Sequence, residues 1–315
     1  MTERNIALVG IGKIARDQHI PSIAASDAWH LAATASRNAG VDGVEGFASL
    51  AGLLAARPDI PCISLCTPPH VRYADARAAL EAGRHVMLEK PPGATLSEVH
   101  DLTALAEAAG VTLFATWHSR FAKAVPAAKA WLAGKDITEV EITWKEDVRR
   151  WHPGQDWIWE AGGLGVFDPG INALSVLTEV FPRAVHVNQA VLEFPQNRDT
   201  PIAVTLGFHD PGGAQVKAVF DWRQEGPQTW DIRLETRQGS ALLSSGGDVF
   251  TRDATTQQDQ GEALPDAPSG EYPGLYARFA ELVESGASEV DLTPMRHVAD
   301  AFTLGRRISV DAFHW

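Results

Sequence analysis

The sequence predicts an α/β chain in two parts: a parallel sheet with intervening helices, then an open, mostly antiparallel sheet with fewer helices. Three observations carry this. Residues 5–115 alternate short apolar runs with single helical patterns, the mark of strand–helix–strand crossovers. The first of these runs ends in Gly10-Ile11-Gly12. Beyond Trp117 the runs become strand-like and are separated by turn residues such as Asp210-Pro211-Gly212-Gly213 and Gln238-Gly239. The boundary therefore falls near residue 118, dividing the 315 residues into 1–118 and 119–315.

Residues 5–9 form the first strand and lead into Gly10-x-Gly12-x-x-Ala15, with helical spacing at Ile14, His19 and Ile23. Glycines here permit a tight turn and let a pyrophosphate approach the backbone at a helix N-terminus. This is the Rossmann arrangement, and it makes 1–118 an NAD(P)-binding domain. The next strand, 31–35, ends in Ser36-Arg37-Asn38. An acid at this place would hold a ribose 2′-hydroxyl, whereas a hydroxyl and a guanidinium suit a 2′-phosphate. NADP is therefore expected as the preferred cofactor, with NAD also accepted. Residues 60–67 read as the third strand, which stops at Pro68-Pro69-His70. A helix through Tyr73, Ala76 and Leu80 is closed by Gly83. Strand 85–88, helix 96–109 closed by Gly110, and strand 111–115 complete the first part.

The run Val86-Met87-Leu88-Glu89-Lys90-Pro91-Pro92 organises this half. Two prolines halt the strand by fixing φ and removing backbone donors. Glu89 and Lys90 are thereby presented at the carboxyl end of a buried strand, where α/β sheets place ligands.

In the second part, 119–133 reads as a helix with apolar Phe121, Val125, Ala128 and Trp131. Strands are expected at 138–148, 184–192, 202–208, 215–222, 230–236 and 240–244, and helices at 276–284 and 295–309. Residues 253–270, polar and rich in Gln, Asp and Pro, read as an exposed loop. Side chains alternate along 138–148, so Glu146 shares a face with Ile142, Trp144 and Val148. A carboxylate on the apolar side must be paired, by a nearby Arg or by a ligand. Six of the ten tryptophans fall between Trp117 and Trp159. Trp151, Trp157 and Trp159 sit beside His152 in one loop, where indole faces offer a platform for the C–H face of a sugar. In Gly165-Val166-Phe167-Asp168-Pro169, Asp168 reads as a helix N-cap with Pro169 at the first helical position. Asn172, four residues on, shares its face. The glycines of 162–165 would let a substrate come close to the backbone.

The net charge of -13 argues against nucleic acid or an anionic membrane surface as partner. No window is long and apolar enough to span a bilayer, and Met1-Thr2-Glu3-Arg4 leads straight into a strand. A cytoplasmic chain without an export signal is expected. Cys62 and Cys66, four apart on an apparent strand, share a face but lie too far apart to pair. They read as small buried residues, and no metal is expected.

Gly10-x-Gly12, Thr67-Pro68-Pro69-His70 and Glu89-Lys90-Pro91 together resemble the glucose–fructose oxidoreductase / inositol dehydrogenase family over essentially the whole chain. Within it, the runs 9–19, 114–120 and 144–153 are similar to the L-arabinose 1-dehydrogenase / D-galactose 1-dehydrogenase group. The resemblance implies a nicotinamide cofactor, a small aldose or polyol substrate, and a homodimer built on the second sheet. It implies cofactor contacts from Gly10, Gly12, Lys13, Ile14, Ser36, Arg37, Cys66, Thr67, Pro68, His70, Glu89, Lys90, Trp117 and Arg120. Substrate contacts are expected from Lys90, His118, Glu146, Trp151, His152, Asp168 and Asn172. Many relatives carry His where this chain has Asn172, and a neutral carboxamide cannot accept a proton. The base role shifts to Asp168 or Lys90, with Asn172 orienting the anomeric hydroxyl and Lys90 holding substrate and cofactor ribose. The expected reaction is oxidation of L-arabinose, D-galactose or D-fucose at C1 to the aldonolactone, with L-arabinose as the physiological substrate. The alternatives are a dehydrogenase of the same fold for another sugar or polyol, and a non-catalytic sugar or nucleotide sensor. A sensor would be expected to lose Lys90, which this chain keeps.

Overall fold

The computed structural model describes residues 3–253 and 270–315. The segment expected as an exposed loop, 253–270, lies almost entirely outside the described residues. Contacts divide the chain into two units, breaking between His118 and Ser119.

The first unit begins with β1 (Arg4–Val9), which passes through the glycine turn into α1, a wide π-type turn (Ala15–His19) continued as α-helix (Ile20–Ala24). Then follow β2 (Trp29–Ala35), β3 (Glu45–Phe47), α2 (Leu50–Ala56), β4 (Cys62–Leu65), α3 (Pro69–Glu81), β5 (His85–Leu88), α4 (Leu96–Ala109) and β6 (Leu113–Ala115). The strand order is β3-β2-β1-β4-β5-β6, all parallel, so the order reverses beside β1. Strands β4 to β6 are buried on nearly every residue, as a sheet covered on both faces requires. Their Ile63, Leu65, Val86, Leu88 and Leu113 pack with Leu53, Leu80 and Leu102 from the helices. Each such side chain, once buried, contributes roughly 1.5–3 kcal/mol. Helix α4 has the expected bounds: Thr95 and Glu98 form a capping box, and Gly110 ends it in the left-handed region. The strand before Thr67 is the fourth rather than the third, because β3 and α2 precede it.

The second unit starts with a 3₁₀ turn (His118–Phe121) and α5 (Val125–Leu132), a helix shorter than expected because Pro126 sits in its first turn. Next come β7 (Ile137–Lys145), the single turn α6 (Val148–Trp151), α7 (Phe167–Val180) and β8 (His186–Pro195). They are followed by β9 (Ala203–His209), β10 (Gln215–Asp221), β11 (Thr229–Thr236), β12 (Gly239–Ser244) and β13 (Val249–Arg252). Helix α8 (Glu271–Ser285) belongs to the first unit, which takes back the described residues 270–292 from the segment expected to be wholly second-domain. Helix α9 (Thr293–Leu304) and β14 (Arg306–Val310) complete the second unit.

The second sheet has eight strands in the order β13-β12-β11-β7-β10-β9-β8-β14. Pairs β7/β10 and β8/β14 are parallel and the others antiparallel. Strands β7 and β10 alternate buried with exposed or half-buried residues, so one face forms the core. The expected helix 295–309 ends at Leu304 instead. Gly305 packs so tightly that an added Cβ would lie 2.1 Å from Leu192 Cδ1. Residues 306–310 then pair with β8, a tertiary pairing that overrides the local pattern.

The turn at Asp210 shows how side chains hold this sheet. The buried carboxylate accepts from the Gly212 amide (3.0 Å) and the Ala214 amide (2.8 Å), and from Arg183 through both oxygens. Arg183, aided by the two amides, holds the carboxyl at about 2 against an ordinary 3.8. A depressed carboxyl stabilises the fold above its unfolded pKa. Its contribution is therefore complete above pH 3.8 and lost as pH falls towards about 2. Asp210→Ala is expected to lower stability by about 2–3 kcal/mol in denaturant melts. The gap from wild type should close as the pH drops through that window.

Candidate active site

In the first unit, the expected nucleotide residues gather at the carboxyl ends of β1, β2, β4 and β5. Gly10 has φ of +88°, and a Cβ there would lie 2.8 Å from Thr67 Cγ2 and 2.9 Å from Thr67 N. A Cβ on Gly12 would meet nothing within 4 Å. One glycine is thus required by the turn and its neighbour, while the other leaves backbone open to a ligand. This fits a dinucleotide pyrophosphate at the start of α1. Ile14 is 38% exposed beside this loop, and Lys13 pairs with Asp17 one turn on. Ser36 gives its amide to Phe47 O, and Arg37 is exposed. Cys66 and Thr67 are half-buried, Pro68 is exposed, and His70 stands exposed in the first turn of α3. Cys62 and Cys66 are both free, and burial pushes the Cys62 thiol up to about 12.

Arg72, buried in α3, staples two of these loops. Its guanidinium donates to the carbonyls of Thr67, Glu89 and Pro91. Burial lowers its pKa to about 10, which still leaves it charged at neutral pH. The Lys90–Pro91 peptide that follows β5 is cis.

Glu89 and Lys90 part company. Lys90 is half-buried, but the Glu89 carboxylate turns inward. It accepts from Tyr272 Oη (2.6 Å) and from the Lys90 amide (2.6 Å), and lies 3.2 Å from His19 Nε2. The Glu89 side chain is thus engaged inside the protein. Trp117 is likewise buried, with its indole N–H on Asp291 O at 2.9 Å. His118 Nδ1 lies 2.9 Å from Glu271, and its ring stacks on Tyr272. Arg120, expected among the cofactor contacts, is used within the second unit by Ser175 O and Thr178 Oγ1 of α7.

In the second unit, Glu146, His152 and the pair Asp168 and Asn172 on α7 come from three stretches of chain. Glu146 is buried just past β7, as the alternation requires. Its partners are not an Arg but two indoles: Trp222 Nε1 at 3.3 Å and Trp230 Nε1 at 3.0 Å. His152 Nε2 lies 3.5 Å from Glu146 Oε1 and 3.9 Å from Asp168 Oδ2, so the imidazole stands between two carboxylates. Asp168 is not the N-cap. The helix begins at Phe167 after Val166, and Asp168 is its second residue, with its amide on Gly165 O at 2.8 Å. The carboxylate sits in the first turn, where the helix dipole favours negative charge. Asn172 is half-buried one turn further along the same face.

The tryptophan loop divides its roles. Trp159 is core, packed on Trp222 and Phe313. Trp151 is 41% exposed and meets Trp230 edge-on at 5.4 Å. With Arg150, Gln228, Trp230, Asp231 and Ser245 it lines a cleft of about 360 Å³. Of the neighbouring glycines, Gly163 and Gly165 are packed, a Cβ on Gly165 at φ of +56° lying 2.4 Å from Pro201 O, whereas a Cβ on Gly162 would meet nothing within 4 Å. Sequence reasoning missed Trp222, Trp230, His19, Arg72, Tyr272 and Tyr276 as partners of the site residues. Trp222 and Trp230 left a trace, since the first alternates with Val216, Ala218 and Phe220 and the second with Ile232 and Leu234.

Chemically, the first unit offers a dinucleotide cradle with a lysine at a neighbouring strand end. The second offers two carboxylates and an imidazole, acceptors suited to hydroxyl groups. Among the described residues, no helix is long and apolar enough to cross a membrane, and no group of three or more His, Cys, Asp or Glu is placed to hold a metal.

Residues 4–116 match the model of an oxidoreductase family with an NAD-binding Rossmann fold. The chain is 42% identical to galactose 1-dehydrogenase of Pseudomonas fluorescens, over 98% of each. It superposes on the crystal structure of a D-galactose-1-dehydrogenase protein from Rhizobium etli with a TM-score of 0.93, at 56% identity over 100% of this chain and 99% of that one. A 3-ketoreductase from Actinomadura kijaniata, solved with NADP and TDP-benzene, shares the fold at a TM-score of 0.82 and 20% identity, over 98% and 99% of the two chains. With a relative this similar along nearly its whole length, the chain belongs to the glucose–fructose oxidoreductase / inositol dehydrogenase family of oxidoreductases.

Proposed function

We propose that this chain is an NAD(P)-dependent aldose 1-dehydrogenase, oxidising the anomeric carbon of L-arabinose, D-galactose and D-fucose to the aldonolactone. The observation that carries the reading is the convergence of Glu146, His152 and Asp168 in one unit of a chain whose other unit holds the nucleotide cradle. Two relatives named for galactose 1-dehydrogenase activity support it. Residues Gly10, Gly12, Ser36, Arg37, Thr67 and His70 would hold the dinucleotide, which when bound accepts a hydride from the sugar.

Asp168 takes the proton of the C1 hydroxyl, and Asn172 orients that hydroxyl. Lys90 supplies the cation that fixes the reacting group, and Glu146 and His152 accept from the remaining hydroxyls. Two indole N–H donors fix the Glu146 carboxylate, so it meets a sugar without reorganising. L-Arabinose and D-galactose share C2, C3 and C4 configuration and differ at C5, so a pocket with room there takes both. We assign L-arabinose as the physiological substrate. A cytoplasmic homodimer is part of the same reading, built on the sheet face that exposes Glu141, Thr205, Lys217 and Arg233.

The test is turnover of an aldose panel with each dinucleotide. Rapid reduction with L-arabinose, D-galactose and D-fucose is expected, and activity confined to inositol or sugar acids would contradict the reading. NADP is assigned as the preferred cofactor from Ser36 and Arg37. Arg37→Ala is expected to raise KM for NADP by about tenfold while changing KM for NAD by less than about twofold, since a phosphate loses a charge-assisted partner that a hydroxyl does not have. Equal effects on the two would remove the 2′-phosphate assignment.

A further inference from the structure

The polar groups beneath Lys90 form a connected set drawn from distant parts of the first unit. His19 stands at the end of the π-type turn that follows the glycine loop, and is fully buried. Its Nδ1 is 2.8 Å from Tyr276 Oη and its Nε2 is 3.2 Å from Glu89 Oε1. Tyr272, one turn before Tyr276 on α8, donates to the same Glu89 oxygen at 2.6 Å. The other Glu89 oxygen accepts the amide of Lys90 at 2.6 Å. Trp29 anchors the helix by donating to Tyr276 O at 2.9 Å, and its ring stacks on Phe279. A buried carboxylate with two faces thus ties the helix of the nucleotide loop to α8 on one side, and grips the backbone of Lys90 on the other.

We propose that Glu89, His19 and Tyr272 are positioning residues that fix Lys90 and lock its loop to the helix of the glycine turn, so that nucleotide binding and lysine placement are set together. The inference rests on the aldose dehydrogenase reading for the reaction that Lys90 serves.

Burying a lone carboxylate would cost several kcal/mol, so a set of this kind persists only when it is fully satisfied. Burial opposes charge on Glu89, yet His19, His118 and Tyr272 outweigh it and hold the carboxyl well below its usual range. Burial opposes charge on His19, and Cys66, Tyr276 and Glu89 outweigh it, raising its pKa above the ordinary value. The ring reaches Glu89 through Nε2 and Tyr276 through Nδ1. Around this pair lie Cys66 from the end of β4, Arg72 from α3, His118 after β6, and Glu271, Tyr272 and Tyr276 from α8. Burial, then Glu89, push the Tyr272 hydroxyl well above 10, so it remains a donor to the carboxylate throughout the working range. None of His19, Tyr272 and Glu89 needs to touch sugar or dinucleotide for this role. They act through the Lys90 amide and the helix of the glycine turn.

The test compares Tyr272→Phe, His19→Gln and His19→Ala with the wild-type full chain. The readouts are Tm, kcat and KM for D-galactose, and the Kd for each dinucleotide from quenching of protein fluorescence. Tyr272→Phe keeps the ring and removes one donor from a charged acceptor. It is expected to lower kcat and weaken dinucleotide binding, each by about three- to tenfold, with sugar KM within about threefold. His19→Gln, which can still donate to Glu89, is expected to retain more of kcat than His19→Ala. A fall in Tm with kcat and dinucleotide Kd unchanged would overturn the proposal, leaving the set as structural packing alone. If wild type oxidises no aldose but dinucleotide Kd still shifts in the variants, the sugar reading fails and the coupling of Glu89 to the glycine turn stands.

Discussion

Asp168→Asn is expected to lower kcat by roughly 10²–10⁴-fold with Tm little changed, the range for removing a positioned general base. The substitution keeps the size of the side chain and its place in the first turn of α7, and removes only the capacity to accept a proton. The carboxylate proposed as base lies 3.9 Å from the His152 imidazole, with Asn172 one turn on along its own face. Asn172→Ala should cost less, since orientation is lost while the proton acceptor stays. A near-normal kcat in Asp168→Asn, with folding confirmed by circular dichroism, would move the base elsewhere.

Lys90→Ala is expected to lower kcat/KM on the order of 10²-fold or more, the scale on which loss of orientation at a reacting centre is felt. The Lys90 amide, which donates to Glu89, is kept by the substitution. The pH dependence separates the two residues. If Asp168 is the base, the Lys90→Ala variant keeps the acid limb of kcat/KM at reduced height. Loss of that limb in Lys90→Ala would assign the titrating base to the lysine.

How far the sequence spoke for the structure depended on how local each signal was. Strand β5 and helix α4 were legible to the residue because prolines, a capping box and a terminal glycine mark them within a few positions. Strand β14 was not, because residues 306–310 become a strand only by pairing with β8, more than 100 positions away. Strand β3 and helix α2 were missed although Ser49 caps the latter on the Gly52 amide, a signal present in the sequence. For the site, period-two alternation found Glu146 on the buried face, and helical spacing joined Asp168 to Asn172. The capping role of Asp168 failed because Pro169 is tolerated at the third position too, where its missing N–H is one that the first turn leaves unpaired. The identity of Glu146's partners depended on strand register, which places Trp230 opposite Trp144. The inward turn of Glu89 depended on Tyr272, 183 residues away in sequence, and on His19, whose other partner Tyr276 is 257 residues distant. No local pattern encodes such a contact.

Which carbon of the sugar is oxidised decides the proposed reaction, since one structural neighbour is a 3-ketoreductase and two relatives are named as galactose 1-dehydrogenases. The direct measurement is transfer of deuterium from D-galactose labelled separately at C1 and at C3, read by mass spectrometry of the reduced nicotinamide. Label is expected in the dinucleotide from the C1 sugar alone, with a primary isotope effect on kcat/KM for that substrate and a lactone as product. Label arriving from C3, or a keto sugar as product, would contradict it.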